Sequence, residues 1–269
     1  MYTGKNPVFM LALALAAGCA GVPPAPEPSP PPVSATEAVV LPYVKSFSDN
    51  PSAAAAPGGW QPWTLSRFKK STQYSLVDDA GRTVIKAHAQ ASASGLAHAL
   101  RLDPRHYPLL QWQWKTTALI ASADNTKKHA EDSPVRVMVS FDGDIDRLPL
   151  DDRMFFDNVR LLTGQQLPYA TLMYIWENRA PKNTIIPSPH TSRIKMIVAE
   201  SGRDKVGQWQ QVVRNIHEDY RRAFGEEPGK ITAVGIMTDT DNTGENVHAY
   251  YGDIVFRRIA PARFTFTTD

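Results

Sequence analysis

The densest run of chemistry-bearing residues is Asp239-Thr240-Asp241-Asn242-Thr243, directly behind the apolar run Ile231–Met237. Two aspartates spaced this way after a strand suit phosphoryl transfer, in which the first attacks phosphorus, the second moves a proton and Mg²⁺ screens the charge. That chemistry also needs a lysine and a second acidic pair on later strands. Only 26 residues follow Thr243, and they read as one strand, which excludes it. An EF-hand loop starting at Asp239 fails as well, because its closing position falls on Tyr250 where a bidentate glutamate is required. A looser set of hard oxygens remains, Asp239, Asp241, Asn242 and Asp253, of the kind that suits Ca²⁺. The same residue types build plain hydrogen-bonded turns, which is the expectation here; no other cofactor is expected.

Aromatic and amide side chains offer a second chemistry, the stacking and hydrogen bonding of sugar rings. Trp112 and Trp114 lie two apart, on one strand face with Leu110, and Tyr174 and Trp176 repeat the spacing. Flanked by Leu and β-branched residues, Trp112, Trp114 and Tyr174 are expected in the core. The candidates for a ligand groove are then Trp176 and the opposite strand faces: Gln111, Gln113 and Lys115 on one, Arg136 with Ser140 and Asp142 on another. Glu131/Asp132, Asp142/Asp144/Asp146 and Asp151/Asp152 could supply the two carboxylates of a glycoside hydrolase. There is no G-x-S-x-G, no H-E-x-x-H and no complete phosphate-binding loop, and the seven histidines show no ligand spacing.

Short β candidates with turns between them must position these groups. They are Thr64–Phe68, Thr72–Val77, Arg82–Ala89, Gly95–Leu102, Leu109–Thr117, Val135–Phe141, Leu172–Trp176, Ile194–Ala199, Trp209–Val213, Ile231–Met237 and His248–Ile259. In the last, strict alternation puts Tyr250, Ile254 and Phe256 on one face and Tyr251, Val255 and Arg257 on the other. Helical period appears only at Asp151–Leu162 and Glu218–Phe224, the latter stopped by Gly225 and Pro228. The pattern predicts a mainly β fold: a single antiparallel β-sandwich, jelly-roll-like, with one or two short helices.

The N-terminus reads as an address. Lys5 precedes the apolar run Pro7–Ala17, which is too short to span a bilayer and has the form of a secretory signal over residues 1–18. Leu15-Ala16-Ala17-Gly18-Cys19 looks like a bacterial lipobox, departing from the commoner pattern at Ala16, and Cys19 is the chain's single cysteine. The reading is lipidation of Cys19 and attachment to a membrane, with Ala20 in the position that sorts enteric lipoproteins to the outer membrane. Residues 19–38 then form a linker, since seven of the ten residues Pro23–Pro32 are proline and favour an extended polyproline II spacer. The β-sandwich domain occupies 39–269. The chain has 29 Lys plus Arg against 27 Asp plus Glu, and neither this balance nor any motif points to nucleic acid.

A set of motifs in order carries a resemblance. They are Gly59-Trp60, Thr72–Arg82, Ser92–Leu96, Trp112–Trp114, Glu131–Val137, Tyr174–Trp176, Glu218–Pro228, and the segments IMTDTDNTG and YYGDIVF near the end. Together they resemble the bacterial family catalogued as domain of unknown function 3047, over most of Phe47–Phe256, with Leu148–Pro168 as an insertion. The resemblance implies an envelope address and a fold, and brings no activity or site residues with it. Three functional expectations stand: a non-catalytic module that binds glycan, a glycan-active hydrolase using paired carboxylates, and a scaffolding lipoprotein without a small ligand.

Overall fold

The computed structural model describes residues 44–52, 57–64 and 68–259. The signal segment, Cys19 and the proline-rich linker lie outside them, as do residues 65–67 of the first expected strand. Thirteen strands form two sheets. They are β1 (Gln61–Thr64), β2 (Gln73–Asp79), β3 (Arg82–Gln90), β4 (Ala93–Leu102), β5 (Leu109–Thr116), β6 (Ser133–Phe141) and β7 (Ala170–Glu177). Then come β8 (Ile185–Pro187), β9 (Ile194–Ser201), β10 (Gln210–Asn215), β11 (Ile231–Asp239), β12 (Asn246–Tyr251) and β13 (Val255–Arg257), with helices α1 (Leu150–Thr163) and α2 (Ile216–Phe224). One sheet runs β1-β4-β11-β6-β7-β9-β8; the other runs β10-β5-β12-β3-β2, with β13 also paired to β5. The chain is mainly β and folds as a β-sandwich.

Alternation decides what lies between the sheets. On β5 every second residue is buried, so Leu110, Trp112 and Trp114 enter the core and Gln111, Gln113 and Lys115 face outward. Val135, Val137, Val139 and Phe141 of β6 and Leu172, Tyr174 and Trp176 of β7 meet them from the other sheet. Trp112 packs on Tyr174 with ring centroids 4.9 Å apart and edge-on to Trp114 at 5.3 Å. Each such side chain removed from water stabilises the fold by roughly 1.5–3 kcal/mol.

Three departures from the sequence reading have local causes. The sandwich is not wholly antiparallel: β7 and β9 pair in parallel because the edge strand β8 folds back onto the far side of β9. That edge strand is three residues long and ends in Pro187, which has no N–H to offer a further strand. The strand expected over His248–Ile259 is two strands, broken at Gly252-Asp253-Ile254. The break shifts the phase: Tyr251 and Ile254 are both buried, whereas Tyr250 faces outward, so Tyr250 and Ile254 do not share a face. The helices match their expected sites, and α2 is closed by Gly225 at φ 72°, a left-handed position that glycine occupies without strain.

Candidate functional site

The seven-stranded sheet holds a buried ionic cluster on its outer face, where Arg136 sits at an outward position of β6. Its guanidinium is 2% exposed and reaches Asp239 Oδ2 at 3.2 Å, Glu131 Oε1 at 3.5 Å and, as donor, the Glu131 carbonyl at 2.8 Å. Asp239 Oδ1 also accepts the Ser133 N–H at 2.8 Å. Beside them Asp132 accepts the N–H groups of Asn242 and Thr243, at 3.3 and 2.8 Å, and Asp241 pairs with Lys69. Oxygens of Asp132, Asp239 and Asp241 lie within 4.8 Å of one another. The turn after β11 therefore does gather carboxylates, but the third is Asp132, from the loop before β6. Asp253 accepts the Ser48 N–H and Oγ–H, at 3.0 and 2.6 Å, and Asn242 Nδ2 donates to the Glu131 carbonyl, so neither is disposed as the sequence suggested. Two cations, Arg136 and Lys69, and several N–H groups face these four carboxylates, and Glu131 Oε2 and Asp241 Oδ1 remain buried without a hydrogen bond.

The groove candidates separate in the same way. Arg136 belongs to the cluster just described. Trp176 is fully buried and its indole N–H donates to the Gly202 carbonyl at 3.0 Å; it is a core residue and offers no stacking face. Gln111, Gln113 and Lys115 do share one surface, the outer face of the six-stranded sheet.

That face carries more than the sequence reading assigned to it. Lys86, Tyr250 and Lys115 stand in one row across β3, β12 and β5, and His88 is opposite His248, their rings stacked at 4.3 Å. Trp209, just before β10, adds an indole. The Asp79 carboxylate accepts both the Trp209 indole N–H at 2.6 Å and the Lys115 ammonium at 2.7 Å, which hold it below the ordinary aspartate range. Lys115 Nζ lies 4.5 Å from the Tyr250 ring centroid, and Arg82 and Lys115 approach the Trp209 ring at 5.2 and 5.1 Å. Burial, aided by His88 and Lys86, keeps His248 below the usual histidine range.

These contacts fix the shape of the face. Trp209 adjoins β10 and Asp79 ends β2, the two edges of the strand order. In a flat sheet, four spacings of about 4.8 Å would part their backbones by roughly 19 Å. The two side chains and the hydrogen bond between them reach well short of that, so the tip of the β2–β3 hairpin, which runs past the end of β12, bends toward Trp209 over the outer face and makes it concave there. Trp209, Tyr250 and Asp79 were missed in sequence because each is unremarkable alone; the outward phase of Tyr250 was the one signal within reach.

Among solved structures the chain is similar to the glycoside hydrolase domain of Endo-D from Streptococcus pneumoniae R6, at 10% identity over 73% of this chain, with a TM-score of 0.34. It spans 21% of that longer chain. It is also similar to a family 29 carbohydrate-binding module complexed with mannohexaose, at 10% identity, 80% and 89% coverage and a TM-score of 0.34. A third likeness is the K1 cleaved adhesin domain of Lys-gingipain from Porphyromonas gingivalis W83, at 8% identity, 81% and 99% coverage and a TM-score of 0.36. Likenesses this distant carry no argument about what this chain binds. No curated protein matches it. Residues 58–255, comprising both sheets of the sandwich from the edge strand β1 to the start of β13, match the protein family of unknown function DUF3047, and the chain belongs to that family.

Proposed function

We propose that the sandwich is a non-catalytic glycan-binding module, held at a bacterial envelope membrane by a lipid on Cys19. The observation that carries the binding reading is the concave outer face of the six-stranded sheet, with Trp209 and Tyr250 set among Gln111, Gln113, Lys115 and Asp79. A concave face suits an elongated chain. Amides and charged groups at fixed strand positions can bond vicinal hydroxyls, and aromatic side chains bury the apolar side of a sugar ring. In each of the carboxylate sets a hydrolase could draw on, at least one member is otherwise employed. Asp132 holds the turn at Asn242-Thr243, Asp142 accepts the Lys230 N–H, Asp144 caps a short helix, and Asp152 accepts from Thr191 and Ser192.

The test is a glycan-array screen of the native chain beside Trp209→Ala and Tyr250→Ala. The native chain is expected to retain a defined set of oligosaccharides and both variants to lose it while still unfolding in a single cooperative transition above the assay temperature. Retention unaffected by either substitution would place binding elsewhere and overturn the assignment. For the anchor, Cys19→Ser is expected to move the chain from the membrane fraction to the soluble fraction and to abolish lipid labelling, since the thiol is the acylated atom. Membrane retention with intact labelling would refute it.

A further inference from the structure

The concave face is charged in one sense. At the outward positions of β2, β3, β5, β10, β12 and β13 the ionisable side chains that are charged at neutral pH are Arg82, Lys86, Lys115, Arg257 and Asp79. Four cations thus face one carboxylate, while the whole chain has a net charge of only +2. The carboxylate is already committed to Lys115 and to the Trp209 indole. Among the described residues, neither Arg82 nor Lys86 makes a contact ion pair: Arg82, opposite Asp79 in the β2–β3 hairpin and helping to lower it, lies against the Trp209 ring, and Lys86 stands in the row beside Tyr250. Burial and the nearby Lys86 charge hold His248 below the usual histidine range.

Unpaired cations on a surface that also carries aromatic rings are half of a recognition pattern. A concave, low-dielectric wall focuses their field into the groove. A neutral glycan would leave Lys86 without a partner, and Arg82 with no more than its share of Asp79, while it covered them, and covering an unanswered charge is costly. A glycan that carries carboxylates answers them with charge-assisted hydrogen bonds, Arg82 in bidentate geometry and Lys86 as a point charge.

Resting on the glycan-binding reading above, we infer that the ligand is an acidic polysaccharide, a chain of uronate sugars whose carboxylates meet Arg82 and Lys86 while Trp209 and Tyr250 cover the rings.

Isothermal titration of the full chain with an oligogalacturonate and with a neutral cello-oligosaccharide of equal length tests it, each at low and high salt. The uronate is expected to bind at least about tenfold more tightly, by the worth of one charge-assisted contact, and to weaken as salt rises. Arg82→Gln/Lys86→Gln should remove that preference and its salt dependence, whereas Lys86→Arg should keep both; equal melting temperatures confirm that each variant folds. Equal binding of the two oligosaccharides, unaltered by Arg82→Gln/Lys86→Gln but lost in Trp209→Ala, would overturn the acidic ligand and leave glycan binding in place. Tight, salt-sensitive binding of a sulfated oligosaccharide with none of the uronate would overturn the carboxylate assignment. Binding of no oligosaccharide at all would overturn both readings.

Discussion

Arg136→Met is expected to destabilise the fold by about 3–5 kcal/mol, the cost of leaving a buried charge without its partner. The guanidinium is 2% exposed, and it is the cation that faces both Asp239 and Glu131. Methionine would fill much of the space beside Met173 and Met196, whose sulfurs lie 3.7 and 3.6 Å from Nη1, so the loss would be electrostatic and not a cavity. Thermal unfolding above about pH 7, where Asp239 is ionised in the native chain, measures it. Pairing Arg136→Met with Asp239→Asn is expected to recover a large part of the loss, because the carboxylate that needed the cation is then gone. A double variant no more stable than Arg136→Met alone would locate the cost in packing instead.

Asp239→Asn by itself should reveal a pH dependence of opposite sign to the usual carboxylate. Burial lifts the Asp239 carboxyl to about 7; Asp132 and Asp241 push the same way, and Arg136 opposes them. The folded chain therefore keeps a proton that the unfolded chain releases near pH 4, the ordinary aspartate range. This contribution to stability is complete below about pH 4 and is lost as pH rises through about 7. Asparagine cannot titrate, so the melting temperature of Asp239→Asn minus that of the native chain is expected to climb as pH goes from about 4 to about 7 and to level off above it. A flat or falling difference would show Asp239 ionised throughout. Added Ca²⁺ and chelator should leave both curves in place; stabilisation by Ca²⁺ of the native chain alone would make Asp132, Asp239 and Asp241 a cation site.

How far the sequence could be read follows from the range of the signals in it. Alternation is local, so the outward phase of Gln111, Gln113 and Lys115 and the inward phase of Trp112 and Trp114 were both legible from β5 alone. Caps are local too, and Gly225 marked the end of α2. Arg136 is outward on β6, as alternation says, yet it is buried, because loops carrying Glu131 and the turn after β11 close over it. Nothing within β6 announces that cover. Trp176 and Tyr174 had the same spacing as Trp112 and Trp114 and the same fate. The site itself joins Asp79 to Trp209, 130 positions apart, through the bend of the β2–β3 hairpin across the sheet face, and such a bend leaves no trace in any one segment. Asp253 was misplaced for a simpler reason: Gly252 ends β12 and sends the chain toward Ser48 instead of back to the acidic turn.

The central claim is that ligand is received on the concave face of the six-stranded sheet. The chain has six tryptophans, and one of them, Trp209, belongs to that face. Trp60, Trp112, Trp114 and Trp176 are buried, and Trp63 lies on the outer face of the other sheet, against Gly95 and Gly235. Two-dimensional ¹H–¹⁵N spectra of the indole region, recorded while an oligosaccharide identified on the array is added, separate these places directly. The account predicts that the Trp209 indole resonance, whose proton is held by Asp79, shifts progressively while the other five stay fixed. A shift of the Trp63 resonance with Trp209 unmoved would contradict it.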